Sequence, residues 1–267
     1  MERAKDLRAK TVSTMVTLGE STTWGYSVSD KSECWPNRVA AMIEAYQGQK
    51  VNLINQGIGS NVLTPLCPAY EFSAKPSALE RLEGDVIVHK PDILFVSYGL
   101  NDARAGTPVE VFRSEYQKLI DMVRESCPDT LIVLLNMYYM HECMYSECYD
   151  QNWNNSNYNV TDVYNMVIAQ LAADNGLILA DIYSATAGVD WLVDQDHCHP
   201  NALGHQVIAN KVFEAVAKNA SFVAAGMPKE PNILRFVDQY ENGPDIPSCH
   251  DATSDLVVEA TRKAFQK

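Results

Sequence analysis

Four separated places in the chain carry the residue types that acyl-transfer chemistry uses. Ser21 follows Gly19-Glu20 at the end of an apolar run, Gly57 closes a second run, and Asn101 stands in Gly99-Leu100-Asn101-Asp102 after a third. The fourth, Asp196-His197-Cys198-His199-Pro200, precedes the last strongly helical stretch. A serine hydroxyl attacks a carbonyl carbon efficiently when an imidazole takes its proton. A carboxylate fixes the tautomer of that imidazole, and N–H donors stabilise the oxyanion that forms. On spacing alone, Asp194-x-x-His197 and Asp196-x-x-His199 are equal candidates for the acid–imidazole pair. Each residue also has a purely structural reading. Ser21 could cap a helix, Gly57 could serve a turn at positive φ, and Asn101 and Asp102 could cap a turn. For Asp102 that structural reading is the one adopted.

These groups can act together only if the fold carries them to one edge. Residues 12–18, 51–54, 91–98, 130–136 and 177–182 are apolar runs with the length and composition of strands. Between them, residues 35–45, 109–127 and 160–175 have helical spacing, and residues 202–218 follow as a last helix. Pro128 stops the second of these helices and Gly176 closes the third. Strands alternating with helices predict a three-layer α/β/α sandwich of the flavodoxin-like kind, with a five-stranded parallel sheet. In such sheets ligands sit at the carboxyl ends of the strands, which is where Ser21, Gly57 and Asn101 fall.

The chain has 267 residues, 21 Lys+Arg against 34 Asp+Glu, and a formal net charge of −13. That charge argues against nucleic acid or an anionic membrane surface as the main partner. With 46% hydrophobic residues it can bury a sizeable core, and no apolar run reaches the ~20 residues that would span a bilayer. Seven cysteines, an odd number in a chain this long, argue against a disulfide scaffold, although Cys143 and Cys148 are close enough in sequence to pair. Residues 1–10 are charged and lack the apolar centre of a signal peptide, so the cytoplasm is the default location. A chain already trimmed of its signal would look the same, which leaves secreted and periplasmic locations open.

The blocks around Ser21, Gly57, Asn101 and His199 occur in the order that defines the SGNH hydrolases, also called GDSL-like esterases and lipases. The chain resembles that family over residues 12–218, with Gly19-Glu20-Ser21 where the family usually has Gly-Asp-Ser. The resemblance implies that Ser21 is the nucleophile, His199 the general base and then the general acid, and Asp196 its orienting carboxylate. His199 is chosen over His197 because Pro200-Asn201-Ala202-Leu203-Gly204-His205 looks like the family's entry into its last helix. The implied oxyanion donors are the backbone N–H groups of Ser21 and Gly57 and the side-chain amide of Asn101. The implied activity is hydrolysis of carboxylic esters through an acyl-serine, without metal or organic cofactor. The acyl group is expected to be short, such as acetyl on a carbohydrate. An acyltransferase using the same triad and a ligand-binding member without activity are the alternatives.

His197, Cys198, His199 and His205 are residue types zinc accepts, but neighbours at i and i+2 are awkward to bring onto one ion. Residues 137–159 form a long polar segment rich in tyrosine, expected to be a lid-like loop that stacks on substrate. The hydrolase domain is placed at residues 1–226. Residues 227–267, marked by four prolines, are read as a wrapping or homo-oligomerising extension with a terminal helix.

Overall fold

A computed structural model of the protein describes residues 5–140 and 160–227. Runs of leucine, isoleucine and valine that are apolar on both sides suit strands buried on both faces. Five strands form: β1 (Thr14–Gly19), β2 (Asn52–Gly57), β3 (Ile93–Ser97), β4 (Leu131–Leu135) and β5 (Ile178–Ala180). They make one sheet in the order β2-β1-β3-β4-β5, every neighbouring pair parallel. All of β4 is buried, whereas β2, at the sheet edge, carries Asn52, Asn55 and Gln56 and buries only Gly57 fully.

Eight α-helices are described: α1 (Ser21–Trp24), α2 (Trp35–Gln47), α3 (Ala78–Asp85), α4 (Leu100–Ala105), α5 (Val109–Ser126), α6 (Val160–Asn175), α7 (Ile182–Thr186) and α8 (Ala202–Asn219). On one side of the sheet α2 packs against α8; on the other α5 packs against both α3 and α6. The result is the expected three-layer α/β/α sandwich. Trp35 of α2 meets Phe95 of β3 edge-on at 6.1 Å, and Phe112 of α5 lies 4.8 Å from Tyr164 of α6, so each layer is pinned by aromatic packing.

The structure departs from the sequence expectations in several places, three of which show the physical reason plainly. β2 continues through Asn55-Gln56-Gly57, where a turn was expected, because pairing with β1 extends to Gly19 opposite Gly57. β5 ends at Ala180, since the Asp181 carboxylate accepts the Ser184 N–H at 3.2 Å and caps α7. Helix α3 was not anticipated. Its sequence signal is Ser77-x-x-Glu80: the Glu80 side chain reaches back to the Ser77 N–H at 2.9 Å, as in a capping box.

The described residues belong to one compact unit that ends at Met227. Most of the tyrosine-rich loop (141–159), the Cys143–Cys148 pair and the C-terminal extension (228–267) lie outside the described residues. Among the described residues no helix is long and apolar enough to cross a membrane.

The sheet order makes β1 and β3 neighbours whose following helices leave in different directions, α2 to one layer and α5 to the other. A crevice therefore opens between their carboxyl ends. Gly19 pairs with Gly57 on one side and with Ser97 on the other, which sets all three strand ends at one level.

Candidate active site

Ser21 is the first residue of α1, directly beyond β1 and Glu20. The short helix folds tightly over the strand ends because two glycines leave room for it. A Cβ on Gly19 would stand 2.1 Å from Thr23 Oγ1, and one on Gly57 would stand 2.1 Å from the Trp24 nitrogen. Gly57 does not sit at positive φ; close approach of the α1 backbone, and not a turn, explains the glycine.

The structure brings Ser21, His199 and Asp196 into one hydrogen-bonded line. Ser21 Oγ is 2.7 Å from His199 Nε2, and His199 Nδ1 is 2.5 Å from Asp196 Oδ2. With Nδ1–H facing the carboxylate, Nε2 presents its lone pair to the serine hydroxyl. The other carboxylate oxygen, Oδ1, accepts the backbone N–H of Cys198 at 3.0 Å and of His199 at 2.9 Å, so the Asp-x-x-His turn closes on its own side chain. Burial alone would raise the Asp196 pKa, but the bonds from the His199 ring and these two N–H groups outweigh it and bring the carboxyl down to about 2. Asp196 is therefore an anion wherever the imidazole needs one.

His197 takes no part in this line. It sits at φ +56°, its N–H donating to the Asp194 carbonyl at 2.9 Å, and Asp194 accepts the Gln195 N–H with its own carboxylate. The ring nitrogens of His199 and His205, the other histidines of the possible zinc set, face protein groups. Those of His199 face Ser21 and Asp196; those of His205 face the Trp35 N–H and the Tyr26 carbonyl, both at 3.3 Å.

Asn101, on α4, comes from the far side of the crevice. Its backbone N–H donates to Glu20 Oε1 at 2.9 Å, and its side-chain Nδ2 donates to the Asn61 carbonyl at 2.9 Å. A primary amide has two hydrogens, so one is left beyond the bond to Asn61. Burial, together with the neighbouring Asp102, pushes the Glu20 carboxyl up to about 8, partly opposed by the N–H groups of Asn101 and Gly99 and by Arg104. Asp102 is also fully buried and pushed up to about 7; it accepts the Leu63 N–H at 3.0 Å and so organises the loop, as its structural reading required.

Gly57 is adjacent but its amide is committed: the N–H donates to Asn55 Oδ1 at 2.9 Å. It is not free to face a carbonyl at Ser21, which departs from the expectation that it would help hold an oxyanion. Two residues on, the Cβ position of Gly59 lies 4.0 Å from Ser21 Cβ, and Ser60 adopts φ +56°. The Ser60 N–H has no acceptor among the described residues.

Several supporting residues were missed from sequence. Arg81, on the unanticipated α3, is buried and donates to the Gln56 carbonyl at 2.8 Å and to Tyr98 Oη at 2.7 Å. Tyr98 in turn donates to Asn61 Oδ1 at 2.5 Å, which ties the loop that carries Ser60 to the ends of β2 and β3. Tyr138, just past β4, donates to the Cys198 carbonyl at 2.6 Å and stands 3.2 Å from Thr22 Oγ1. It joins the helix of Ser21 to the loop of His199. No local pattern marks these residues; a buried arginine in a sequence gap with a capping signal was the available hint.

A hydroxyl, an imidazole and a carboxylate thus lie in one hydrogen-bonded line at the switch point of a 2-1-3-4-5 parallel sheet. The sequence of residues 17–207 matches the model of the GDSL-like lipase/acylhydrolase family, and the chain belongs to that family. A curated arylesterase from Vibrio mimicus is 25% identical over 124 residues; the match spans 46% of this chain and about half (54%) of that protein. Among solved structures, the lipase/acylhydrolase from Enterococcus faecalis superposes with a TM-score of 0.61 at 21% identity, over 76% of this chain and 95% of that one. A variant of an acetylxylan esterase from Geobacillus stearothermophilus gives a TM-score of 0.57 at 17% identity, over 76% and 94%. At these identities the two structures show the shared fold.

Proposed function

We propose that the protein is a carboxylic ester hydrolase that acts through an acyl-serine intermediate on short acyl groups, with acetyl esters of carbohydrates as the substrate class. The observation that carries this reading is the contact of Ser21 Oγ with His199 Nε2 at 2.7 Å, with Asp196 behind the ring at 2.5 Å. Ser21 Oγ attacks the ester carbonyl carbon while its proton moves to His199 Nε2. The imidazolium returns that proton to the alcohol oxygen as the C–O bond breaks, leaving the acyl group on Ser21. Water, deprotonated by the same nitrogen, then attacks the acyl carbon, and Ser21 is released. The oxyanion is held by the Ser21 N–H, the free hydrogen of Asn101 Nδ2 and the Ser60 N–H, the last in place of the committed Gly57 amide. Donors aimed at developing charge in this way are worth ~10²–10³ each in rate.

The family and the arylesterase relative support ester hydrolysis, and the acetylxylan esterase neighbour is consistent with a small acyl group on a sugar. The test is a series of p-nitrophenyl esters of rising chain length together with acetylated xylo-oligosaccharides, run on wild type and Ser21→Ala, with a fluorophosphonate probe to label the serine. Turnover that peaks at acetyl, disappears in Ser21→Ala and parallels probe labelling is the expected result. Labelling absent from Ser21, or a preference for long chains, would overturn the reading.

A further inference from the structure

The residues directly after Ser21 expose two large aromatic side chains beside the imidazole, and the fold fixes them there. The Tyr26 ring lies 4.2 Å from the His199 ring, tilted by 40°, and the Trp24 ring lies 6.4 Å from that of Tyr26. Trp24 and Tyr26 are each 48% exposed. Single exposed aromatics are common on protein surfaces and mean little. Here, however, the backbone beneath them is wound through two left-handed residues, Gly25 at φ +86° and Ser27 at φ +67°, and serine rarely adopts that conformation.

The turn is held on three sides. The Tyr26 N–H donates to the Ser21 carbonyl at 3.0 Å. His205, whose pKa burial lowers to about 4, is neutral near pH 7. With Nδ1 accepting the Trp35 N–H, its Nε2–H donates to the Tyr26 carbonyl at 3.3 Å. Lys31 Nζ donates to the Gly25 carbonyl at 2.9 Å and the Trp24 carbonyl at 3.3 Å, and its ammonium stands 3.5 Å from the centroid of the Trp24 ring. A row of rings therefore runs outward from His199, fixed in place yet open to solvent.

In the proposed reaction the His199 imidazolium gives its proton to the departing alcohol oxygen, so the alcohol half of the ester must lie against His199 and whatever adjoins it. What adjoins it is Tyr26. We propose that Tyr26 and Trp24 form the subsite for the alcohol half, and that this half is a ring with a flat apolar face, an aryl group or a pyranose. The inference rests on the esterase reading and adds to it where the leaving group binds and what shape it has. Aromatic side chains bind such faces by stacking, with large contact area and little rotamer entropy to lose.

The experiment compares wild type, Trp24→Ala, Trp24→Leu and Tyr26→Ala on phenyl acetate, an O-acetylated methyl xyloside and ethyl acetate. The readout is the ratio of kcat/KM for each ring-bearing ester to that for ethyl acetate. The expected result is a fall of this ratio by about 10-fold in the variants, the scale on which a lost apolar contact discriminates substrates, carried mainly by KM. Trp24→Leu, which keeps apolar bulk but not the flat face, should fall as Trp24→Ala does. A fall for phenyl acetate alone assigns the subsite to aryl alcohols, and a fall for the xyloside alone assigns it to sugars. Unchanged ratios in an active enzyme, including an equal loss on all three esters, would overturn the subsite and leave the esterase reading intact. A wild type inert to every acetate would overturn the esterase reading, and the subsite with it.

Discussion

Glu20 Oε1 accepts the backbone N–H of Asn101 at 2.9 Å, so the residue before the serine holds the helix start that carries the carboxamide. The chain has Gly-Glu-Ser where its family usually has Gly-Asp-Ser, and the longer side chain here spans the crevice between the ends of β1 and β3. It also approaches the Gly99 N–H, at 3.5 Å. Two sides of the site are thus set relative to one another by one buried carboxyl.

Glu20→Ala is expected to leave the buried N–H of Asn101 without its acceptor, costing about 1–3 kcal/mol of stability. It should also lower kcat, because Asn101 shifts. Asn101→Ala should lower kcat by about 10²–10³ and, by leaving the buried Asn61 carbonyl without its donor, also cost about 1–3 kcal/mol of stability. Thermal unfolding and steady-state kinetics on both variants check this; a Glu20→Ala protein with reduced stability and full kcat would show that the carboxyl does not position Asn101.

His199→Ala is expected to reduce kcat by about 10⁴ or more, as removal of a triad member does. His197→Ala should stay within a few-fold of wild type, since the His197 ring lies outside the hydrogen-bonded line. Kinetics on p-nitrophenyl acetate decide between the two histidines, and the reverse pattern would move the base to His197.

Stability should fall as pH rises from about 4 to 8. Burial raises the Glu20 and Asp102 carboxyls to about 8 and about 7, above their ordinary carboxylate values. Across that window the folded protein keeps protons that the unfolded chain has released, so the unfolding free energy decreases with pH. His205 opposes this in the lower part of the window. Its folded pKa of about 4 lies below the ordinary histidine value and stability rises with pH between the two, so the net decline is carried by the two carboxyls. Asp196 also acts in the opposite sense. Its carboxyl lies at about 2 in the fold, so its contribution is present above the ordinary carboxylate value and is lost as pH falls through that range. Urea midpoints between pH 5 and 8 should decline in wild type and decline less steeply in Glu20→Gln; a flat wild-type profile would contradict the buried, protonated carboxyls.

Tyr138→Phe removes the hydroxyl that donates to the Cys198 carbonyl at 2.6 Å. The expected cost is about 0.5–1.5 kcal/mol in stability, with a several-fold loss in kcat and little change in KM, because the His199 loop is no longer tied to the helix of Ser21. Equal kcat in the two proteins would make the tether purely structural.

The sequence by itself determined the layered sheet and the approximate positions of the candidate groups at its edge. Apolar runs separated by helical periodicity can be buried only as a covered parallel sheet, and the polar residues that follow those runs then fall at its carboxyl edge. Ser21 and Asn101 were legible as candidates for that reason, whereas Asp196 and His199, equal on spacing to Asp194 and His197, were chosen through the family resemblance. The tertiary structure decided what depends on contacts between distant segments. It placed His199 and not His197 opposite Ser21, committed the Gly57 amide to Asn55, and used Gly57 to make room for the backbone of α1. It also assembled Arg81, Tyr98 and Asn61 beneath the site, together with the Tyr138 tether. Local pattern records which face a residue buries, but not which partner meets it there. Whether a given donor is still free is settled only when every segment around it is in place.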